Sequence, residues 1–286
     1  MSHPDRHGAS LRRDPVQVVA VTGGKGGVGK STLSINLGIA CAAAGRRVVL
    51  LDGDLGLANA DVMLGITPRH TLADLILGRR TLDEVLTPVR SNLSIIAGAS
   101  GLMPLAELDT AGHVGIVRAF SDLATDLDLL LVDTAAGISP GVLQLVQATQ
   151  HVLVVVSEDP ASVTDAYALI KVLSRHHGVR EFRVVTNMTA DPMAGGRLFA
   201  ALQRVTSRFL DVTLVHSADI PSDELLRRAV REQRPVVEAY PGCGASQIIR
   251  RLAVALESWP PPEGRGNIGF FAERVARPAP RLQVVR

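Results

Sequence analysis

A doubly wound, mostly parallel α/β sheet flanked by helices is the fold this sequence predicts, and three observations predict it. Short apolar runs rich in β-branched residues alternate with longer helical stretches along the 286 residues, as in strands joined by crossover helices. A glycine-rich turn, Gly23-Gly24-Lys25-Gly26-Gly27-Val28-Gly29-Lys30-Ser31-Thr32, separates the first such run from the first helix. Asp52, Asp54 and Asp133 stand at the carboxyl ends of two later runs, the edge where sheets of this kind keep their ligands.

Residues 1–14 are polar and charged with no apolar stretch of a signal peptide, and read as a flexible arm. Val16 to Val21 is an apolar run broken only by Gln17, a strand covered on both faces. A helix over residues 30–44 ends at Gly45. The second strand, Arg47 to Leu51, leads into Asp52-Gly53-Asp54, followed by a loop and short helix over Leu55 to Leu64. Short helical pieces are expected at Thr71–Leu77 and Leu82–Leu86, a strand at Leu93–Ile96, and a long helix at Leu105–Leu127. Strands Asp128–Val132, Val152–Val156, Phe182–Thr186 and Val212–Val215 then alternate with helices Val142–Gln150, Ser162–His176 and Arg197–Leu210. Leu225–Val230 and Ser246–Ser258 complete one domain over residues 15–258.

Composition bounds the function. A net charge of +2 gives no global polycation for nucleic acid, and 47% hydrophobic with 20% charged residues is globular usage. No apolar run reaches the ~18 residues of a membrane span, and the expected compartment is the cytoplasm. Cys41 and Cys243 are far apart with no C-x-x-C, which argues against an iron–sulfur or zinc site in one chain. Cys41 reads as core and Cys243 as exposed. Of 30 basic residues only Lys25, Lys30 and Lys171 are lysines. Two of them share the glycine-rich turn, where a compact ammonium fits among phosphates better than a guanidinium fork.

Gly24 to Ser31 fits G-x-x-x-x-G-K-[ST] between a strand and a helix, the setting in which backbone N–H groups and a helix N-terminus converge on phosphate. Gly24, Gly26, Gly27, Val28 and Gly29 form the cradle, with Thr32 following. Lys30 is expected to reach the β- and γ-phosphates, and the Ser31 hydroxyl to ligate Mg²⁺. Hydrolysis also needs a held metal and a positioned water. Asp133 ends the run Leu129–Val132 and is assigned to Mg²⁺. Of the pair ending the second strand, Asp54 is assigned to the water and Asp52 to the metal shell. Asn59 and Asp61 lie on the same loop, within reach of a partner subunit. Asn187 and Asp223, which follows Ile220-Pro221-Ser222, are expected at the carboxyl edge of the sheet. The amide of Asn187 suits a purine edge, whereas Asp223 also suits a helix N-cap.

These motifs resemble those of the MinD/ParA ATPases. Lys25-Gly26-Gly27-Val28-Gly29-Lys30-Ser31, with its second lysine, resembles the family's deviant Walker A. Asp52 to Asp61 is similar to switch I, and Asp133-Thr134-Ala135-Ala136-Gly137 to switch II. Thr71 to Asp74, Thr164 to Lys171, Thr186-Asn187-Met188, Arg208 to Val212, Ser258-Trp259-Pro260 and Phe270 to Arg274 resemble the FleN/FlhG regulators of flagellar number. The resemblance implies a P-loop NTPase of MinD-like fold that binds ATP and Mg²⁺ and dimerises on ATP. It implies that Lys25 reaches the nucleotide of the opposite subunit. It assigns Lys30 and Ser31 to phosphate and Mg²⁺, Asp54 to the water, Asp133 to Mg²⁺, and Asn187, Pro221 and Asp223 to adenine. It also implies restraint of a flagellar master transcription activator of the FleQ/FlrA type and action opposite the GTPase FlhF. Of the N-terminal D-Q-A-x-x-L-R motif found in some FlhG proteins, only Leu11-Arg12 is present.

Residues 259–286 read as a proline-rich linker, Trp259 to Gly264, and a C-terminal amphipathic helix carrying Ile268, Phe270, Phe271 and Val275. Its basic, aromatic character predicts reversible peripheral binding to an anionic membrane surface; packing on the core is the other reading. Division-site or DNA-partition positioning in the manner of MinD or ParA remains an alternative. So does an iron–sulfur carrier of the same fold, against which the missing C-x-x-C argues. ParA-like DNA binding needs a basic surface patch; the arginines at 227, 228, 231 and 234 form one cluster but read as ordinary helical-surface charge, and no direct nucleic-acid contact is expected.

Overall fold

The computed structural model describes residues 16–54, 60–98, 119–120 and 127–260. Elements are numbered along these residues. The arm, Leu55–Asn59, the amphipathic helix with Ile268, Phe270, Phe271 and Val275, and most of the helix expected at Leu105–Leu127 lie outside them. Of that helix, residues 119–120 are helical and Leu127 is not.

Strand β1 (Gln17–Thr22) runs into the glycine-rich turn, helix α1 (Lys30–Ala43) and β2 (Val48–Gly53). Three short helices follow, α2 (Ala60–Leu64), α3 (Leu72–Ile76) and α4 (Leu82–Val85), then β3 (Thr87–Arg90), β4 (Leu93–Ile96) and β5 (Leu129–Thr134). The second half alternates strictly: α5 (Pro140–Gln147), β6 (His151–Ser157), α6 (Pro160–His177), β7 (Glu181–Thr189), α7 (Ala194–Phe209) and β8 (Thr213–Pro221). Helices α8 (Glu224–Arg231), α9 (Val236–Ala239) and α10 (Gly244–Glu257) follow.

The strands form one sheet in the order β3-β4-β2-β5-β1-β6-β7-β8. Every pairing is parallel except β3 with β4. Side chains of successive strand residues alternate between the two faces. Val19, Val21, Leu129 and Leu131 therefore share a cluster with Leu33 and Leu37 of α1 and with Ile249 and Leu252 of α10. Val18, Leu130 and Val132 pack on the other face with Leu145 of α5. Helix α1 is buried nearly all round because sheet covers one side and α10 the other. The crossover from β1 thus runs over one face and the crossover from β5 over the other. The carboxyl ends of these neighbouring strands form the crevice where such folds bind ligands.

Several strands outrun their apolar stretches. β2 and β5 stay in register through Asp52↔Asp133 and Gly53↔Thr134, so both aspartates lie inside strands rather than after them. Asn187 likewise sits within β7, and β8 continues to Pro221. β3, which carries Pro88, and α9 are elements the apolar pattern does not announce.

At the opposite, amino-terminal edge, buried Arg183 stacks 4.2 Å over the ring of Trp259, which His151 meets edge-on at 5.4 Å between centroids. Burial holds the Arg183 guanidinium below its ordinary pKa. Trp259, expected to open the linker, is therefore anchored in the core. Cys243 is buried as well, a correction to its expected exposure. Its sulfur accepts the Ser246 N–H and so caps α10.

Candidate functional site

The glycine-rich turn joins β1 to α1, whose first turn has neither a side-chain cap nor an acidic residue. By contrast, Ser139, Asp159, Asp223 and Cys243 accept N-terminal amides of α5, α6, α8 and α10. The donors of α1 are thus left for an anion. Gly29 adopts φ 93° at the N-cap, and a methyl there would lie 2.3 Å from the Asn187 amide nitrogen. Methyls at Gly26 or Gly27 would meet nothing within 4 Å, so the outer side of the turn is accessible. Val28 is buried in the main cluster and pins the turn from within. Ser31 and Thr32 are half-buried at the head of α1.

Lys30 is buried, and its Nζ donates to the Lys25 carbonyl at 3.4 Å. Burial depresses its pKa, opposed by the charges of Asp133 and Asp54. Asp133 is fully enclosed and accepts hydroxyl bonds from Ser31 and Ser34. Asp52 accepts the N–H groups of Asp54 at 3.1 Å and Ala60 at 3.2 Å, and so ties together the two ends of the 55–59 segment. Burial pushes Asp52 up to about 7, with Asp133 adding to the rise. Burial likewise raises Asp133 to about 6, against its hydroxyl partners and Lys30. Asp54 is half-buried beside them, and Asp61 accepts the Val62 N–H at the start of α2.

Lys25 points the other way. Its ammonium pairs with Asp159, which also accepts the Ala161 N–H at 2.9 Å to cap α6. Both side chains are about a third to a half exposed, at 35% and 47%.

The expected purine edge is braced by backbone. Asn187 Nδ2 donates to the Val28 carbonyl at 2.8 Å, and its Oδ1 accepts the Met188 N–H at 3.0 Å. Met188 itself is exposed with φ 61°. The two oxygens of Asp223 accept from Leu225 at 2.9 Å and Ala245 at 3.2 Å, so this carboxylate caps α8 and α10 together. Pro221 ends β8 opposite Thr189. Sequence reasoning missed Ser34, whose only signal is its place one turn beyond Lys30. It also missed Asp159, signalled by the Asp-Pro of a helix start.

These donors fit a nucleotide triphosphate with Mg²⁺. A hydroxyl beside carboxylates suits a hard cation that completes its shell with phosphate oxygens and water. No cluster of three or more His, Cys, Asp or Glu side chains exists among the described residues to make an all-protein cage. The pH response follows from the two raised carboxyls. Their folded pKa values of about 7 and 6 exceed the ~3.9 of an unfolded aspartate. Between those limits the folded chain binds more protons, so its stability falls as pH rises. The nucleotide-free chain is expected to melt higher at pH 5 than at pH 8. Saturating Mg²⁺–ADP is expected to flatten that slope by favouring the ionised carboxylates. Thermal melts across this range check it; a melting point that climbs with pH contradicts it.

Comparisons with known proteins agree with this geometry. The sequence matches the ParA family, described as NUBPL iron-transfer P-loop NTPase, over residues 15–257. It is similar to the antiactivator FleN of Pseudomonas aeruginosa, 52% identical over 264 residues covering 92% of this chain and 94% of the relative. It is also similar to the flagellum site-determining protein YlxH of Helicobacter pylori, 32% identical across 84% of this chain and 81% of the relative. Among solved structures, the MinD cell division protein of Aquifex aeolicus matches with a TM-score of 0.72 at 25% identity, covering 86% of this chain and 99% of that one. MinD of Pyrococcus horikoshii, solved with Mg-ADP, shares the fold with a TM-score of 0.70 at 24% identity, covering 85% and 97%.

Proposed function

The chain belongs to the ParA family of P-loop ATPases, and on that premise we propose that it is an ATP-switched homodimer that limits flagellar number. In this reading it restrains a flagellar master transcription activator of the FleQ/FlrA type and acts with the GTPase FlhF. What carries the reading is that likeness to an antiactivator runs the length of both chains rather than through the nucleotide motifs alone.

When bound, ATP with Mg²⁺ supplies the reacting γ-phosphoryl group. The turn amides from Gly24 to Gly29 and Lys30 neutralise phosphate charge, while Ser31, Asp133 and Asp52 hold the metal and its water shell. Asp54 orients the attacking water. Asn187, Pro221 and Asp223 line the base, Asn187 with the amide hydrogen that Val28 does not use. Lys25 turns to the nucleotide of the partner subunit. To do so it leaves Asp159, and a partly exposed ion pair is worth no more than about 1 kcal/mol, so the cost of release is small. Residues 1–14 form an arm, 15–258 the ATPase domain, and 259–286 a linker and tail. Ile268, Phe270, Phe271 and Val275 seat that tail reversibly on an anionic membrane. No helix of the described residues is long and apolar enough to cross a bilayer.

A DNA-partition role draws no support from the arginines of α8. Arg227 and Arg231 share Glu224, and Arg228 pairs with Glu232, so two carboxylates offset half the charge of the cluster and tie its side chains to their own helix. Deleting the gene is expected to raise the number of flagellar filaments per cell counted by electron microscopy. Wild-type protein should restore the count and a Lys25→Ala chain should not. An unchanged count in the deletion strain refutes the regulatory role.

A further inference from the structure

The most revealing side chain outside the recognised motifs is Ser34, which is completely buried in α1. It lies three residues after Ser31 and four after Lys30, on the same face one turn deeper. Its neighbours Leu33, Ile35 and Leu37 belong to the apolar core. A hydroxyl in such a wall costs about 1–3 kcal/mol unless it is bonded. The ordinary solution is a bond to the carbonyl four residues back, and Ser34 Oγ does lie 3.0 Å from the Lys30 carbonyl.

That solution leaves a second contact unexplained. Ser34 Oγ also lies 3.0 Å from Oδ1 of Asp133, a residue 99 positions away on the neighbouring strand β5. One hydroxyl carries one proton and cannot serve both acceptors fully. The Lys30 carbonyl also faces the Ser34 N–H along the helix ladder, whereas a buried carboxylate gains more from a charge-assisted bond. The hydroxyl therefore belongs to Asp133. With Ser31 as the other hydroxyl partner of Asp133, α1 grips this carboxylate at two points one turn apart.

We propose that Ser34 is a positioning residue: its hydroxyl fixes the rotation of the Asp133 carboxylate and holds it on Ser31, where a Mg²⁺-loaded nucleotide is received. The inference rests on the assignment of Asp133 to Mg²⁺, and is independent of the flagellar reading. Outer partners that orient a metal-site group are commonly worth 10–100-fold in metal affinity. A serine one step further out is expected at the low end of that range.

The test is ADP binding by calorimetry, with saturating Mg²⁺ and with chelator, for the wild-type chain, S34A, S34T and D133A. S34A is expected to weaken Mg²⁺–ADP binding about tenfold and to leave Mg²⁺-free ADP binding unchanged. S34T, which keeps the hydroxyl, should recover the Mg²⁺ advantage. In a D133A background S34A should cost nothing further, because the two residues act as one unit. Equal losses with and without Mg²⁺ would mean that Ser34 only shapes α1, and would overturn the proposal. So would additive losses in the double variant. A normal Mg²⁺ advantage in D133A would overturn the underlying assignment instead, so the two failures are distinct. Should S34A not fold, S34C, with a weak donor of similar size, provides the same comparison.

Discussion

A Gly24→Ala chain is expected to lose nucleotide binding and to melt well below the wild type. A methyl at this position would lie 2.1 Å from the Asp165 carbonyl carbon, 2.2 Å from its oxygen and 2.6 Å from the Ala166 nitrogen. All three are backbone atoms of α6, so no side-chain rotation relieves the clash. The helix is held by Ala166, Leu169, Ile170 and Leu173, all fully buried. The turn must therefore move, by about an ångström. Overpacking of this kind costs about 1–3 kcal/mol, a fall of roughly 2–12 °C in melting temperature for a chain of this size. Misplacement on that scale removes about a hundredfold or more from turnover. Gly26→Ala is the control, since its methyl meets nothing and should shift stability by less than about 0.5 kcal/mol. Melting curves and titration with a fluorescent nucleotide decide the matter. Wild-type affinity in the Gly24→Ala chain would contradict the close approach of α6.

Asp133→Asn separates activity from stability. The amide keeps the shape and one acceptor but removes the charge opposite Lys30. Turnover is expected to fall by about 10–100-fold. At pH 8 the ionised Asp133 sits in a fully enclosed place with its pKa raised to about 6, which costs stability. Lys30 retains the charge of Asp54 after the substitution. The variant should therefore melt higher than the wild type at pH 8 and depend less on pH, a trade of function for stability. A variant that is both inactive and less stable at pH 8 would show that the Lys30 pairing outweighs burial of the carboxylate.

The sequence was most legible where chemistry is local. The strands announce themselves because burial on both faces demands unbroken apolar runs, as in Val18 to Val21 and Val152 to Val156. Their ends do not, because parallel pairing continues through Asp52, Asp133, Asn187 and His216, polar residues at which the apolar runs stop. β3 is hidden by its Pro88 and its position at the sheet edge. The phosphate turn is legible because glycine encodes backbone geometry. Ser34 with Asp133, 99 residues apart, and Lys25 with Asp159, 134 apart, meet only through tertiary packing. The burial of Cys243 has the same origin, since it follows from the docking of α10.

The placement of β1 between β5 and β6 governs when a newly made chain can become competent. Gln17 pairs with Leu129, so the strand carrying the phosphate turn waits 129 − 17 = 112 residues for its neighbour. At a translation rate of about 5–20 residues per second that is an interval of roughly 6–22 s. Throughout it the turn has left the peptidyl-transferase centre without the wall that holds Asp133, and the cost of closing so long a loop delays pairing further. Nucleotide capture therefore reports that synthesis has passed the sheet's centre. Under the ATP-switched dimerisation proposed above, the same geometry keeps a subunit out of assembly until β5 has been made.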